Sequence, residues 1–249
     1  MLQIKRLLLF CTLLALFACA ADSNDFTPDL GGTGTAGSLA RFTIVGNNLL
    51  VLKSDALIQY RIESNGQLSQ VRFLDFFNSN LETVFPYGEN VLVGSNNGVH
   101  FLGFDNQGII ELLSTYSHLT ACDPVVAANG LAFSTLRSSN CRFNTREVLD
   151  IIDISDIENP RIVKSYDTEA PYGLTISGNN LFVCERGGLA MYDVANPESI
   201  LLKVFMDFND ELPLDVIHAQ GNLILRTDQA IYNMSYTSSG VFNILAQIQ

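Results

Sequence analysis

The chain has no tryptophan and only three histidines among its 249 residues. Lys and Arg together number 14 against 26 Asp and Glu. The missing tryptophan removes the Trp-Asp signature that marks one large class of forty-residue repeats. His100, His118 and His218 are too widely spaced for a zinc motif. The shortage of basic residues argues against a phosphate-backbone partner, because a net charge of −12 repels nucleic acid and anionic head groups alike. No GxSxG, HExxH or Walker pattern occurs. No apolar run is long enough to span a bilayer as a helix; Leu7 to Phe17 is too short.

That run has another use. Lys5 and Arg6 precede it and Leu16-Phe17-Ala18-Cys19 closes it, the n-region and core of an export signal. The closing residues resemble the lipobox of bacterial lipoproteins, in which a small residue precedes a cysteine that becomes the lipidated N-terminus. The resemblance implies a signal at 1–18, lipid on Cys19 and a membrane anchor; the alternative is an ordinary signal cut after Ala18 or Ala20. Asp22-Ser23-Asn24-Asp25 resembles the export signal of Bacteroidetes surface lipoproteins, which implies the outer membrane or cell surface over a periplasm-facing anchor. Losing Lys5 and Arg6 takes the formal charge from −12 to −14.

Residues 19–38 are Gly, Ser, Thr and Asp-rich and read as a tether with a reach of roughly 25 Å. Gly32 to Gly37 matches GxGxxG, but a tether precedes it and a strand-like run follows. The strand and helix that a dinucleotide site needs are both missing.

From 39 to 249 the chain repeats itself. Gly46-Asn47-Asn48, Gly88-Glu89-Asn90, Asn129-Gly130, Gly178-Asn179-Asn180 and Gly221-Asn222 fall between apolar runs at steps of 42, 41, 49 and 43 residues. Each unit holds four short runs rich in Val, Ile, Leu, Phe and Tyr, the strand signal, and none keeps a helical period. Runs such as Leu181-Phe182-Val183 place side chains on both sheet faces, so both faces must be covered. A stack of blades does this, and the sequence predicts an all-β, five-bladed β-propeller of four antiparallel strands per blade.

VLDIIDISDIENPRIV (Val148 to Val163) and LAMYDVANPESILLK (Leu189 to Lys203) resemble the LVIVD repeat of bacterial surface proteins. With ARFTI, ETVFPYG, ACDPVV and APYGLTISGNNLFVC, the chain resembles Bacteroidetes lipoproteins built on LVIVD-type propellers. The resemblance implies a propeller on a lipid anchor and supplies no activity or catalytic residue.

Once Cys11 leaves with the signal and Cys19 takes lipid, Cys122, Cys141 and Cys184 remain. Export makes a Cys122–Cys141 disulfide the expectation against two unrelated thiols, and it would add about 3 kcal/mol by chain entropy. Cys184 is left as a buried thiol.

Six positions before each turn stand Ala40, Glu82, Asp123, Tyr172 and Asp215, with Arg41 beside the first. One position per blade on the innermost strand makes a ring. Its three carboxylates suit a hard cation such as Ca²⁺, a polar ligand at the channel mouth, or simple solvation of that mouth. The expected function is a non-enzymatic binding or scaffold protein with a protein or glycan partner. The alternative is a metal-assisted hydrolase or lactonase-like enzyme using Glu82, Asp123 and Asp215.

Overall fold

Turn chemistry sets the hairpins. In the computed structural model, which describes residues 39–117, 124–137 and 147–249, the first turn residue of each inner hairpin has positive φ. It is Gly46 (55°), Gly88 (59°), Asn129 (53°), Gly178 (59°) or Gln220 (50°). A glycine first residue alone fits a type II′ turn. Asn129-Gly130 and Gln220-Gly221 are positive at both places, as type I′ requires. Both types match the right-handed twist of the strands they join. Of the two units into which the chain divides, Thr33–Gln249 holds every described strand, and Met1–Gly32 lies outside the described residues.

Among the described residues twenty strands form five four-stranded antiparallel sheets in chain order. Blade 1 is β1 (Phe42–Val45), β2 (Asn48–Leu52), β3 (Ala56–Ile62) and β4 (Leu68–Asp75). Blade 2 is β5 (Leu81–Tyr87), β6 (Asn90–Ser95), β7 (Gly98–Phe104) and β8 (Ile110–Ser117). Blade 3 is β9 (Val125–Ala128), β10 (Leu131–Leu136), β11 (Val148–Asp153) and β12 (Arg161–Asp167). Blade 4 is β13 (Leu174–Ser177), β14 (Asn180–Glu185), β15 (Gly188–Asp193) and β16 (Leu201–Asp207). Blade 5 is β17 (Pro213–Ala219), β18 (Asn222–Thr227), β19 (Ile231–Tyr236) and β20 (Phe242–Ile248). Among the described residues no strand is shared between blades, and each sheet comes from one repeat of the sequence.

The same irregularity recurs in all five. The ladder between third and fourth strands shifts register at Gln59/Tyr60, Phe101/Leu102, Ile151/Ile152, Met191/Tyr192 and Asn233/Met234. A bulge there increases local twist and turns the outer strand away from its neighbours, as stacking around an axis demands. The acidic residues of the repeat shape turns. Asp153 Oδ1 accepts from Ser155 N at 2.9 Å and Asp193 Oδ1 from Ala195 N at 3.0 Å. Asp156 and Asn196 repeat the motif one turn later. Asp150 is buried instead, accepting from Ser165 Oγ.

The core lies between blades. Leu50, Leu57, Val84 and Val93 join blades 1 and 2; Leu92, Phe101, Val125 and Ile152 join 2 and 3. Val126, Phe133, Leu174 and Val183 join 3 and 4; Phe182, Met191, Val216 and Leu225 join 4 and 5. Polar staples accompany them. Buried Gln59 reaches Gly108 O and Ile110 N of blade 2, and Tyr87 Oη accepts from Gly130 N of blade 3. Tyr166 Oη donates to Pro197 O, and Tyr236 Oη donates to Ser177 Oγ.

Among the described residues no buried cluster joins blade 5 to blade 1. Phe42 pairs with Val51 as Val84 pairs with Val93, so Phe42 and Val84 hold equivalent places. Yet Phe42 is 65% exposed and Ile44 51%, while Val84 is 1% exposed. The expectation that every blade is covered on both faces therefore holds for blades 2, 3 and 4. Blades 1 and 5 each present one sheet face to solvent.

Candidate functional site

Because the strands of a blade alternate in direction, the start of each first strand and the end of each second strand lie on one side of the propeller. Leu39, Glu82, Pro124, Tyr172 and Leu214 come from the five first-strand starts. Arg137 and Arg226 come from the ends of β10 and β18. They line one central cavity of about 280 Å³.

Glu82 is thrown out of the ladder by the register shift between Leu81 and Thr83. Asn80 Nδ2 donates to its Oε1 at 3.1 Å. Burial raises the Glu82 pKa, while the Asn80 bond and the charges of Arg41 and Arg137 pull it back. Arg137 lies over the Tyr172 ring with its guanidinium carbon 3.8 Å from the centroid, a cation–π stack that presents the planar fork at a fixed angle. The Tyr172 backbone is pinned: its N donates to Cys184 O at 2.8 Å and its O accepts from Thr135 Oγ1 at 2.8 Å. Next to it Gly173 N donates to Leu214 O at 3.0 Å. A Cβ on Gly173 would press on Asp215 Oδ1 and come within 2.8 Å of Asp215 Cα, so only glycine lets blades 4 and 5 approach here.

The residues singled out in the sequence divide. Glu82 and Tyr172 line the cavity and the Arg41 charge acts on Glu82. Ala40 O accepts from Val84 N at 2.8 Å and so helps to join blades 1 and 2. Asp215 stands one residue off the ring. The unit-five turn begins at Gln220, not Gly221, so Leu214 holds the position equivalent to Glu82. Asp215 instead sits opposite Arg226 across the β17–β18 ladder, its Oδ1 accepting from Val216 N. Asp123, His118, Cys19, Cys122 and Cys141 lie outside the described residues. Among the described residues no three of His, Cys, Asp and Glu converge as a metal-binding group.

Arg137 and Arg226 escaped the turn-based reading, because they end second strands at different distances from their turns. The one signal in the sequence was a cation closing an apolar run, in LAFSTLR and LILRT.

His100, His218 and Cys184 belong to the packed interior. His100 is buried between Ser95 Oγ (3.2 Å) and Thr115 Oγ1 (2.9 Å), and burial lowers its pKa to about 4. His218 bonds Tyr236 Oη at 3.2 Å, its pKa also lowered by burial. The Cys184 thiol is fully buried and unbonded to sulfur, its pKa raised first by burial and then by the Asp215 charge. Such a thiol is inert.

The LVIVD repeat family matches residues 145–168 and 172–207, so the third and fourth blades carry LVIVD repeats. No curated protein matches the sequence. Among solved structures, a Lactobacillus plantarum protein has a TM-score of 0.68 at 11% identity, covering 81% of this chain and 67% of that one. A functionally unknown protein of Desulfotomaculum acetoxidans also reaches 0.68, at 15% identity and 83% and 68% coverage. The periplasmic gluconolactonase of Pseudomonas aeruginosa scores 0.58 at 13% identity, covering 82% and 69%. At these identities the likeness establishes the fold, a β-propeller, and nothing of the chemistry.

Proposed function

We propose that the protein is a non-enzymatic binding propeller, held on the outer membrane or cell surface by lipid on Cys19, whose central cavity takes a small anionic ligand. The observation that carries the ligand class is the Arg137–Tyr172 stack, with Arg226 lining the same cavity, in a chain whose net charge is −12. A guanidinium fork fixed in a partly enclosed space suits a carboxylate or phosphate bidentately. Glu82 lines the same cavity with its pKa raised by burial, one of its oxygens held by Asn80 Nδ2. The anionic group belongs to a glycan fragment or to a protein partner displayed at the same surface.

The test is titration of the purified mature chain with D-gluconate, citrate and inorganic phosphate, followed by NMR. At least one should bind, and Arg137→Ala or Tyr172→Ala should weaken it about tenfold, the worth of one charge-assisted pair. Binding unaffected by both substitutions, or no binding of any of the three, refutes this reading.

A metal-assisted hydrolase or lactonase-like activity is the second reading. Its support is Glu82, a carboxyl of raised pKa in a central cavity, on the fold that the gluconolactonase shares. It needs Asp123 as a further ligand for a cation such as Ca²⁺. Elemental analysis of protein made by export separates the two: stoichiometric metal favours the hydrolase.

We further propose that Cys122 and Cys141 are disulfide-linked, since exported cysteines pair and Cys184 is buried away. Non-reducing peptide mapping should return that single pair. A link to Cys184, or three free thiols, contradicts it.

A further inference from the structure

A second cavity of about 400 Å³ opens on the same side of the propeller, between blades 3 and 4. The loop that carries Tyr172 into the central cavity begins here, with Asp167, Thr168 and Glu169. The end of β14 supplies Glu185 and Arg186, and β15 and β16 supply Tyr192 and Phe205.

Glu185 is only 7% exposed, yet it lines this cavity. Tyr192 Oη donates to its Oε1 at 2.7 Å. Burial, and then Glu185 itself, push the Tyr192 pKa upward, so that phenol keeps its proton and spends it on this bond. Tyr192 occupies one oxygen of Glu185, and the carboxylate itself forms part of the cavity lining. Thr168, which also lines the cavity, has a buried hydroxyl with no partner among the described residues. An orphaned buried hydroxyl beside a buried carboxylate, both lining one space, marks a place for a donor. Burial raises the Glu185 pKa, the Tyr192 bond lowers it and the nearby Glu169 charge raises it, a net penalty on the bare carboxylate that an adjacent cation relieves. Arg186 is exposed, its backbone N tied to Glu169 O at 2.9 Å.

The walls choose the kind of donor. Phe205 packs against Gly188, where its ring and Met206 O leave no room for a Cβ, and Phe205 is still 41% exposed. Tyr192 gives a second ring. An ammonium has three donors and no acceptor, and an alkyl stem packs against aromatic faces. A bare metal ion does not fit: the cavity is many times its size, and among the described residues no three acidic or imidazole groups converge on one point.

We propose that this cavity binds a primary alkylammonium, the lysine side chain of a polypeptide, with the ammonium between Glu185 and Thr168 and its stem on Tyr192 and Phe205. The site is separate from the central cavity and opposite in charge preference. It would let an acidic propeller hold a lysine of a partner protein while the central cavity stays free.

The probe is Nα-acetyl-lysine N-methylamide, titrated into the mature chain and followed by NMR, beside its Nε-acetylated counterpart. The free ammonium should bind, and acetylation should weaken it at least about tenfold by removing the charge. Glu185→Gln keeps an acceptor for Tyr192 and should fold, yet should weaken binding about tenfold; Thr168→Val should weaken it about threefold to tenfold. Arg137→Ala, in the central cavity, should leave it unchanged. Equal binding of the two probes, no binding by the wild-type chain, or binding undiminished in both Glu185→Gln and Thr168→Val would overturn the assignment.

Discussion

Phe182→Ala is expected to lower the unfolding free energy by about 3–5 kcal/mol, and Phe42→Ala by under about 1 kcal/mol, although both are phenylalanines on propeller strands. Phe182 is fully buried, meets Tyr236 edge-on at 4.7 Å and packs with Phe242 at 6.1 Å. Truncating it opens a cavity between blades 4 and 5 that tightly packed strands cannot close. Phe42 keeps most of its surface in water in the folded state, so its loss removes little burial. Urea unfolding of the mature chain measures both. A Phe42→Ala cost as large as that of Phe182→Ala would mean that the outer face of blade 1 is covered in solution. The row Phe42, Val51, Ile58 and Phe73 would then behave as an interior interface.

This contrast marks the limit of what hydrophobic pattern reveals. Phe42, Ile44, Leu49 and Val51 are as apolar as Val84, Pro86, Val91 and Val93, which stand at the same places one repeat later. Pattern says that a face prefers to be covered; only packing says whether a neighbour covers it. The blades themselves were legible because a two-residue hairpin needs positive φ, and Gly or Asn supplies it at least cost. The register of blade 5 was not, because Gln220 takes the first positive-φ place, at 50°, and Gly221 the second. One residue of displacement moved Asp215 off the ring and put Leu214 on it, since side chains alternate along a strand.

The two cavities differ in the same way. Glu82 and Tyr172 were readable because they recur at fixed distances from a turn. Arg137 and Arg226 enter the central cavity from strand ends that no period fixes. Glu185 follows an apolar run, NLFVC, and reads as the edge of a buried strand. Its role near Thr168 depends on the loop from β12 to β13 folding back across β14, where Arg186 N meets Glu169 O. Contacts made across sequence by loops leave no periodic trace.

Cys19→Ser is expected to move nearly all of the protein from the membrane fraction to the soluble fraction while leaving the propeller folded. Cys19 is the proposed lipid site, and buried acyl methylenes contribute about 0.8 kcal/mol each, so two or more chains hold a protein without measurable release. An acidic surface offers no substitute attachment to anionic head groups, because the electrostatic term has the wrong sign. Among the described residues the first strand begins at Phe42, and the buried core residues all follow it. The readout is fractionation after a high-salt wash, with circular dichroism and thermal unfolding of the released protein. Unchanged unfolding with loss from the membrane is the expected pair of results. Retention of the Cys19→Ser protein on salt-washed membranes would exclude the lipid anchor, and would shift attention to the exposed apolar faces of blades 1 and 5 as the means of attachment.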